Sequence, residues 1–256
     1  MHLSALLTSL PLAFEEAVAE MTELGFTHVD VVALAERPAA HLEALAKSGL
    51  IVSCASIGRD LPEGQTLDAA DVASRRSAVE LMQRHIADAA RLGATHAYLV
   101  SGLDNSRDGL LRFGEACVML AEYAQQRQVR LCLEPIPGRA LPSAAAMLDF
   151  LGGIDHENLA LLLDVGHCLI SKEEPADVVR RAGPKLGYVH VDDNNGQDDV
   201  HWPLLSGVLK EEQLRECLGA LRQQGHQGAL SLELNPKNPN PVTALREGKS
   251  LLEKLL

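Results

Sequence analysis

The chain has 256 residues, 46% of them hydrophobic, with a formal net charge of −12 and a pI of about 5.3. Duplex-binding proteins usually carry a basic face, so this charge argues against nucleic acid and against an anionic membrane surface as partners. Five scattered cysteines without a CxxC pair favour reduced thiols in the cytoplasm over a disulfide framework, and no run of about 18 apolar residues predicts a membrane span.

Short apolar runs of strand length alternate with longer amphipathic stretches along the whole chain. The first run has no basic region ahead of it and is followed by Pro11, which indicates a first strand rather than a signal peptide. The apolar runs predict eight strands, near residues 2–7, 28–34, 50–56, 96–101, 130–134, 159–164, 186–191 and 229–234. The amphipathic stretches predict eight helices, near residues 14–24, 39–48, 71–92, 109–127, 143–152, 173–182, 210–224 and 242–254.

The element boundaries and the strand compositions favour one closed barrel. Ser143 can cap the fifth predicted helix, and residues 159–163 are apolar throughout, as in parallel strands covered by helices on both faces. Eight strand–helix units without a linker predict one domain over residues 1–256, a single (β/α)₈ TIM barrel of the α/β class. The alternative, an open doubly wound sheet, lacks support because no GxGxxG follows a strand. Glycines suited to the left-handed position after a helix end are Gly25, Gly49, Gly93 and Gly225.

Four polar residues stand at the ends of four successive predicted strands: Glu134, Asp164, His190 and Glu233. All strands of a barrel end on one face, and that face holds the active site. Three carboxylates crowded there repel one another unless a cation or protons neutralise them. A single carboxylate after a strand often only caps a helix, but three carboxylates and a histidine at four successive strand ends favour one divalent metal ion. Three oxygen ligands and one imidazole favour Mn²⁺ or Mg²⁺, with Co²⁺ or Zn²⁺ as alternatives.

The segments LCLEPIPG, LLLDVGHCLI, YVHVDDNNG and LSLELNP resemble the sugar-phosphate isomerase/epimerase superfamily, whose fold is a xylose-isomerase-like TIM barrel. The resemblance extends over essentially the whole chain and is most specific in residues 130–236. It implies that Glu134, Asp164, His190 and Glu233 bind the metal. It also implies that His167 lies beside the substrate.

The same resemblance implies a divalent-metal-dependent isomerase or epimerase of carbohydrate metabolism. Its substrate would be a small sugar, a sugar phosphate or a related hydroxy-carbonyl compound. The shared step is proton abstraction next to a carbonyl through a metal-stabilised enediolate. Glu134 and Glu233 would be the acid/base pair.

Other polar residues on the same face are candidates for substrate contacts. His201 and Trp202 follow the seventh predicted strand, and Trp202 could stack on a sugar face or pack its loop onto the barrel. Arg59 follows the third strand and Arg139 the fifth, and either could bind a phosphate or a carboxylate through its planar donor fork. If they do not contact substrate, His201, Arg59 and Arg139 would be ordinary exposed side chains, and His167 would instead hydrogen-bond the backbone.

Several functions stay open at this point. The ketose 3-epimerases usually carry a second Glu after the first metal Glu and an Arg after the metal His, and neither follows Glu134 or His190 here. This disfavours a free-ketose 3-epimerase and leaves a hydroxypyruvate isomerase or a dehydratase of a cyclic polyol ketone, of the inosose dehydratase kind. A metal-dependent AP endonuclease would need more histidines near the early strand ends, and His28 and His96 begin strands instead. A non-catalytic binding protein would predict a degraded ligand set. The expected partner is a small sugar-like molecule, and homo-oligomerisation is left open.

Overall fold

Eight parallel strands form the centre of the protein, in a computed structural model that describes residues 1–256. No observed strand boundary differs from its predicted position by more than two residues. The strands are β1 His2–Ala5, β2 His28–Val32, β3 Ile51–Ser56, β4 His96–Val100, β5 Arg130–Glu134, β6 Leu159–Asp164, β7 Leu186–Val191 and β8 Ala229–Leu232.

From β2 to β8 each strand pairs in parallel with the next one along the chain, and β8 pairs with β1. A parallel bridge between Leu6 and Asp30 connects the end of β1 to β2 and completes the ring. The prediction of a (β/α)₈ barrel is therefore confirmed. Because all eight strands run in one direction, the residues at their C-terminal ends share one rim.

Nine helices surround the barrel, and eight of them correspond to the predicted ones. They are α1 Phe14–Glu23, α2 Ala39–Ser48, α3 Val72–Arg91, α4 Arg107–Gln125, α5 Ala144–Ile154, α6 Val165–Ile170, α7 Pro175–Ala182, α8 Glu211–Gln223 and α9 Pro241–Leu255. The sequence did not predict α6, because six residues are too few to show helical periodicity. The predicted cap of α5 is present, since Ser143 Oγ accepts a hydrogen bond from the Ala146 amide. None of the helices is both long and apolar enough to cross a bilayer.

Two apolar clusters hold the barrel together. The larger one lies between the strands and the surrounding helices. The smaller one includes the aromatic rings of Tyr98 and Tyr188, both buried, which lie edge-on to the ring of His190. All five cysteines are buried and free, as expected for core residues. The seven members of the smaller cluster are Cys54, Tyr98, Cys132, Ala160, Leu162, Tyr188 and Ala229.

The smaller cluster leaves no room for a side chain at Gly187 in β7. A Cβ there would lie 2.6 Å from Cys132 Sγ and 2.7 Å from Ala160 Cβ. We expect Gly187→Ala to destabilise the fold by about 2 kcal/mol through overpacking, which lowers the melting temperature by roughly 4–8 °C in a protein of this size. The matched control is Gly219→Ala in α8, where nothing lies within 4 Å. Calorimetry should show Gly219→Ala unchanged or stabilised; equal melting temperatures for both variants would contradict the prediction.

Candidate active site and metal centre

The four side chains predicted to share one rim meet there. Glu134 ends β5, Asp164 ends β6, His190 lies in β7, and Glu233 directly follows β8. All four are buried, and each offers a ligand atom within 4.8 Å of the other three.

The atoms that face one another in this cluster make no hydrogen bond of acceptable geometry, although His190 Nδ1 and Glu233 Oε2 approach to 2.6 Å. They are Glu134 Oε1, Asp164 Oδ2, His190 Nδ1 and Glu233 Oε2. Buried polar atoms of native proteins nearly always have a partner, so four such atoms within 4.8 Å of one another favour a group that binds them all. Three oxygens and one imidazole nitrogen form a donor set that suits a divalent cation. The residues present therefore fit a metal ion.

The charges within the cluster are strongly coupled. Burial and the neighbouring Asp192 carboxylate raise the pKa of Asp164 to about 7. Burial alone would lower the pKa of His190, but the Glu233 carboxylate, 2.6 Å from His190 Nδ1, raises it well above its usual value. Burial would raise the pKa of Glu233, yet His190 holds it well below its usual range. Burial thus favours the protonated form of Asp164, while the neighbouring His190 favours the ionised form of Glu233.

Asp164 combines the structural role and the proposed ligand role that its sequence position left open. Its Oδ1 accepts a hydrogen bond of 2.7 Å from the His167 amide and caps α6. Its Oδ2 has no partner and faces the cluster. The capping hydrogen bond to Oδ1 therefore orients the carboxylate and leaves Oδ2 available to bind a metal ion.

Arg59 holds the other oxygen of Glu233. Its Nη2 lies 3.3 Å from Glu233 Oε1 and donates to the Tyr98 hydroxyl at 2.9 Å, while its Nε donates to Ser56 Oγ at 2.7 Å. Glu233 is thereby fixed at one oxygen, and Oε2 is left facing the cluster. The segment after His190 contains no Arg, but the Arg59 side chain, from the loop after β3, brings a guanidinium group to the site.

Asp30, which the sequence analysis did not single out, lies beneath the cluster and is fully buried in β2. It accepts hydrogen bonds from Ser4 Oγ at 2.8 Å and from the Tyr188 hydroxyl at 2.6 Å. Its Oδ2 is 3.7 Å from His190 Nε2, on the side of the ring away from the cluster. The available signal was an acidic residue inside an otherwise apolar strand, His28-Val-Asp-Val-Val32. A carboxylate behind a ligating imidazole orients the ring and increases its basicity.

A chain of acids and imidazoles continues from the cluster towards the solvent. His167 Nε2 lies 3.1 Å from Asp199 Oδ1, and His201 Nε2 lies 3.0 Å from the same oxygen. His201 Nδ1 is 2.6 Å from Asp192 Oδ2. Burial opposes a charge on His167, but Asp164 and Asp199 raise the pKa of His167 to about 10. Asp199 is a second residue that the sequence analysis missed; its only signal was the Asp-Val-His spacing in an acidic loop.

The loop after β7 is fastened by its own polar residues. Asp193 is fully buried and accepts hydrogen bonds from the amides of Asn194, Gly207 and Leu209. Trp202 pairs with Asp193 through the backbone, at 3.0 Å and 2.6 Å. These contacts hold His201, whose φ of 47° few residues other than glycine adopt.

A cavity of about 350 Å³ opens above the cluster and has the size of a small-molecule site. Of the five residues predicted to contact substrate, four line it. The ring of Trp202 is not part of that lining, so contact between Trp202 and substrate stays a prediction. The four lining residues are Arg59, Arg139, His167 and His201, and they are joined by Glu134 and Glu233 from the cluster.

Comparisons with known proteins agree with this architecture. D-psicose 3-epimerase of Agrobacterium fabrum is 26% identical over 220 residues, which cover 77% of this chain and 75% of that protein. L-ribulose 3-epimerase of Mesorhizobium japonicum is 28% identical over 201 residues, which cover 71% of this chain and 64% of that protein. A solved L-ribulose 3-epimerase shares the fold, with a TM-score of 0.85 at 22% identity over 100% of this chain and 94% of that one. The family described as xylose isomerase-like TIM barrel matches residues 18–255. This chain belongs to the xylose isomerase-like TIM barrel family.

Proposed function

We propose that this protein is a divalent-metal-dependent epimerase or isomerase of a small sugar or a related hydroxy-carbonyl compound. The observation that carries the proposal is the buried set of four ligand atoms within 4.8 Å of one another, two of whose residues, Glu134 and Glu233, also line a cavity large enough for a monosaccharide. Two of the four residues are glutamates at the ends of β5 and β8, two strands that are not adjacent. The absence of a second Glu after Glu134 and of an Arg after His190 disfavours a free-ketose 3-epimerase, but the similarity to D-psicose and L-ribulose 3-epimerases favours epimerisation over the other reactions of the superfamily.

Glu134, Asp164, His190 and Glu233 would hold the ion. An ion there would polarise the substrate carbonyl and stabilise the negative charge that develops on its oxygen. Mn²⁺ and Mg²⁺ suit the three oxygen donors best, with Co²⁺ and Zn²⁺ as alternatives.

Proton transfer is assigned to the two glutamates. One carboxylate removes the proton from the carbon next to the carbonyl, and the electron pair of that C–H bond moves towards the carbonyl oxygen. The other, as the carboxylic acid, returns a proton to the opposite face of the same carbon, which inverts its configuration. Arg59 keeps Glu233 in position through Oε1. His167, fixed by Asp199, would donate a hydrogen bond to a substrate oxygen.

Arg139 is a second cationic side chain, besides Arg59, that lines the cavity. Its Nη1 donates to the Ser101 carbonyl at 3.1 Å, which anchors the side chain at the rim, and it makes no ion pair within the chain. Together with Arg59 it would bind substrate oxygens, including those of an acidic group.

A hydrogen-exchange assay tests the proposal. The Mn²⁺-loaded protein would be incubated in deuterium oxide with psicose, ribulose, tagatose, hydroxypyruvate and an inosose, and each product followed by NMR. We expect deuterium at one carbon next to the carbonyl of at least one ketose, together with the epimer. Loss of water from the inosose without epimer formation would instead assign a dehydratase. Bound metal without exchange on any compound would refute both.

Asp30 offers a separate test of the metal centre. Asp30→Asn keeps the side-chain shape but removes the charge behind His190, and we expect the affinity for Mn²⁺ to fall about 10-fold or more. Calorimetric titration of Mn²⁺ into the protein, after its metal has been removed with a chelator, measures this affinity directly and without substrate. The control is Asp149→Asn, an exposed position on α5. Unchanged affinity in Asp30→Asn would show that Asp30 supports only the barrel interior.

A further inference from the structure

The loop between β3 and α3 (residues 57–71) carries Arg59 and is attached to α3 by His85. The last amide of this segment that pairs with the barrel is that of Ile57, which donates to a carbonyl of β4 at 2.9 Å. The next amide, that of Gly58, donates instead to His85 Nδ1 at 3.2 Å. The backbone thus leaves the sheet and attaches to the helix layer one residue before Arg59.

His85 contacts the loop on both sides of Arg59. The His85 side chain is fully buried in α3, so its ring nitrogens are shielded from water. Nδ1 accepts the hydrogen bond from Gly58, and Nε2 lies 3.2 Å from Asp60 Oδ1. Because Nδ1 is an acceptor, the neutral ring carries its proton on Nε2, the nitrogen that faces the Asp60 carboxylate. One imidazole therefore contacts the residue before Arg59 and the residue after it.

Burial keeps the His85 ring in the neutral form that an acceptor at Nδ1 requires. Burial lowers the pKa of His85 below its usual value, although the carboxylates of Asp60 and Asp88 act in the opposite direction. At neutral pH the ring is therefore uncharged and can accept the hydrogen bond from the Gly58 amide.

The backbone at Gly58 also packs closely against α3. Its φ of 79° lies in the left-handed region that glycine adopts without strain. A Cβ at this position would collide with the methyl group of Met82, a buried residue about one turn before His85. A hydrogen bond and a close contact with α3 thus fix the point from which the next residue, Arg59, begins.

Arg59 itself has few other contacts that could hold its backbone. The amides of Arg59 and Asp60 make no hydrogen bond within the chain, and the Arg59 side chain is 47% exposed. From this position its Nε donates to Ser56 Oγ at 2.7 Å, and its Nη2 lies 3.3 Å from Glu233 Oε1. The place where the loop attaches to α3 therefore determines where the guanidinium group meets Glu233.

We propose that His85 is a positioning residue for Arg59 and, through Arg59, for Glu233. By holding the backbone on both sides of Arg59, it directs the guanidinium group to Oε1 of Glu233 and leaves Oε2 facing the metal cluster. His85 neither lines the cavity nor belongs to the four-residue cluster, so it acts only through the loop. The effect on turnover rests on the proposed function, whereas the effect on Arg59 does not.

Hydrogen exchange of the full chain, followed by NMR without substrate or added metal, tests the effect on Arg59. In the wild type the Gly58 amide should exchange more slowly than the amides of Arg59 and Asp60. His85→Leu should speed exchange at the Gly58 amide and at Arg59 Nε–H about fivefold, the effect of losing one hydrogen bond. His85→Asn should stay within about twofold of the wild type, because asparagine Oδ1 stands where Nδ1 does along the side chain. The control His96→Leu, at the start of β4 and the opposite end of the barrel, should leave both rates unchanged.

Turnover in the deuterium-exchange assay tests the effect on Glu233. His85→Leu should lower kcat roughly tenfold, a part of the ~100-fold that a 1 Å displacement of a catalytic group costs. His85→Asn should restore kcat, and His96→Leu should retain it. Wild-type kcat in His85→Leu would remove the effect on Glu233, and an Asn variant no better than the Leu variant would reduce His85 to a packing role.

Two results would overturn the proposal even if the protein is an epimerase. One is a wild-type Gly58 amide that exchanges as fast as its neighbours, a measurement that stays decisive if His85→Leu does not fold. The other is an Arg59 Nε–H whose exchange is unchanged in a folded His85→Leu variant. A wild type inactive on every ketose would instead refute the proposed function, and faster exchange in His85→Leu would still support the positioning of Arg59.

Discussion

Glu233→Gln is expected to lower turnover by about 10³-fold, the effect of losing one general acid/base group. Glutamine fills the same space, and its carbonyl oxygen can still accept the hydrogen bond from Arg59. It cannot take up a proton, and it presents no charge to His190 at the position of Oε2. Proton transfer at one face of the substrate should therefore stop while the barrel stays folded.

The measurement is the rate of deuterium exchange and epimer formation at saturating Mn²⁺, compared with Glu247→Gln on the exposed face of α9. The control should retain wild-type activity. The melting temperature of Glu233→Gln should stay close to that of the wild type, because the substitution relieves repulsion among carboxylates as it removes a partner of His190. A collapsed melting transition would make Glu233 structural, and full activity in the variant would remove it from the acid/base pair.

Asp164→Asn is expected to remove metal binding while preserving the start of α6. Asparagine is as good a helix cap as aspartate, so the bond from the His167 amide can persist. Towards the cluster, however, the variant offers a neutral amide in place of the free carboxylate oxygen Oδ2. Loss of a direct ligand should cost more than the ~100-fold in affinity that an outer partner can cost.

Thermal unfolding with and without Mn²⁺ gives a readout that does not depend on activity. At a free ion concentration 100 times its dissociation constant, binding stabilises the wild type by about 2.7 kcal/mol, or roughly 5–10 °C in a protein of this size. Asp164→Asn should show no such shift, and Asp149→Asn should show all of it. Chelation should inactivate the wild type, and added Mn²⁺ should restore it. A full thermal shift in Asp164→Asn would place the ion elsewhere.

The alternation of elements was readable from local patterns. Apolar runs such as residues 159–163 and the amphipathic stretches between them carry strand and helix periodicity within a few turns of chain, and the caps at Ser143 and after several helices depend only on neighbouring residues. The order of these elements then leaves the parallel barrel as the economical solution. The strand-end positions of Glu134, Asp164, His190 and Glu233 followed from the same reading, because the C-terminal ends of parallel strands share one rim.

The sequence by itself therefore determined the barrel, its single rim and the four acidic and imidazole side chains delivered to it. Only the tertiary structure showed that Asp30 lies behind His190, that Asp199 joins His167 to His201, and that Arg59 reaches Glu233 from 174 residues away in the chain. These contacts join side chains from different strands and loops. Their distances depend on strand register, barrel closure and loop conformation, and none of these leaves a periodic signal in the sequence around any one residue.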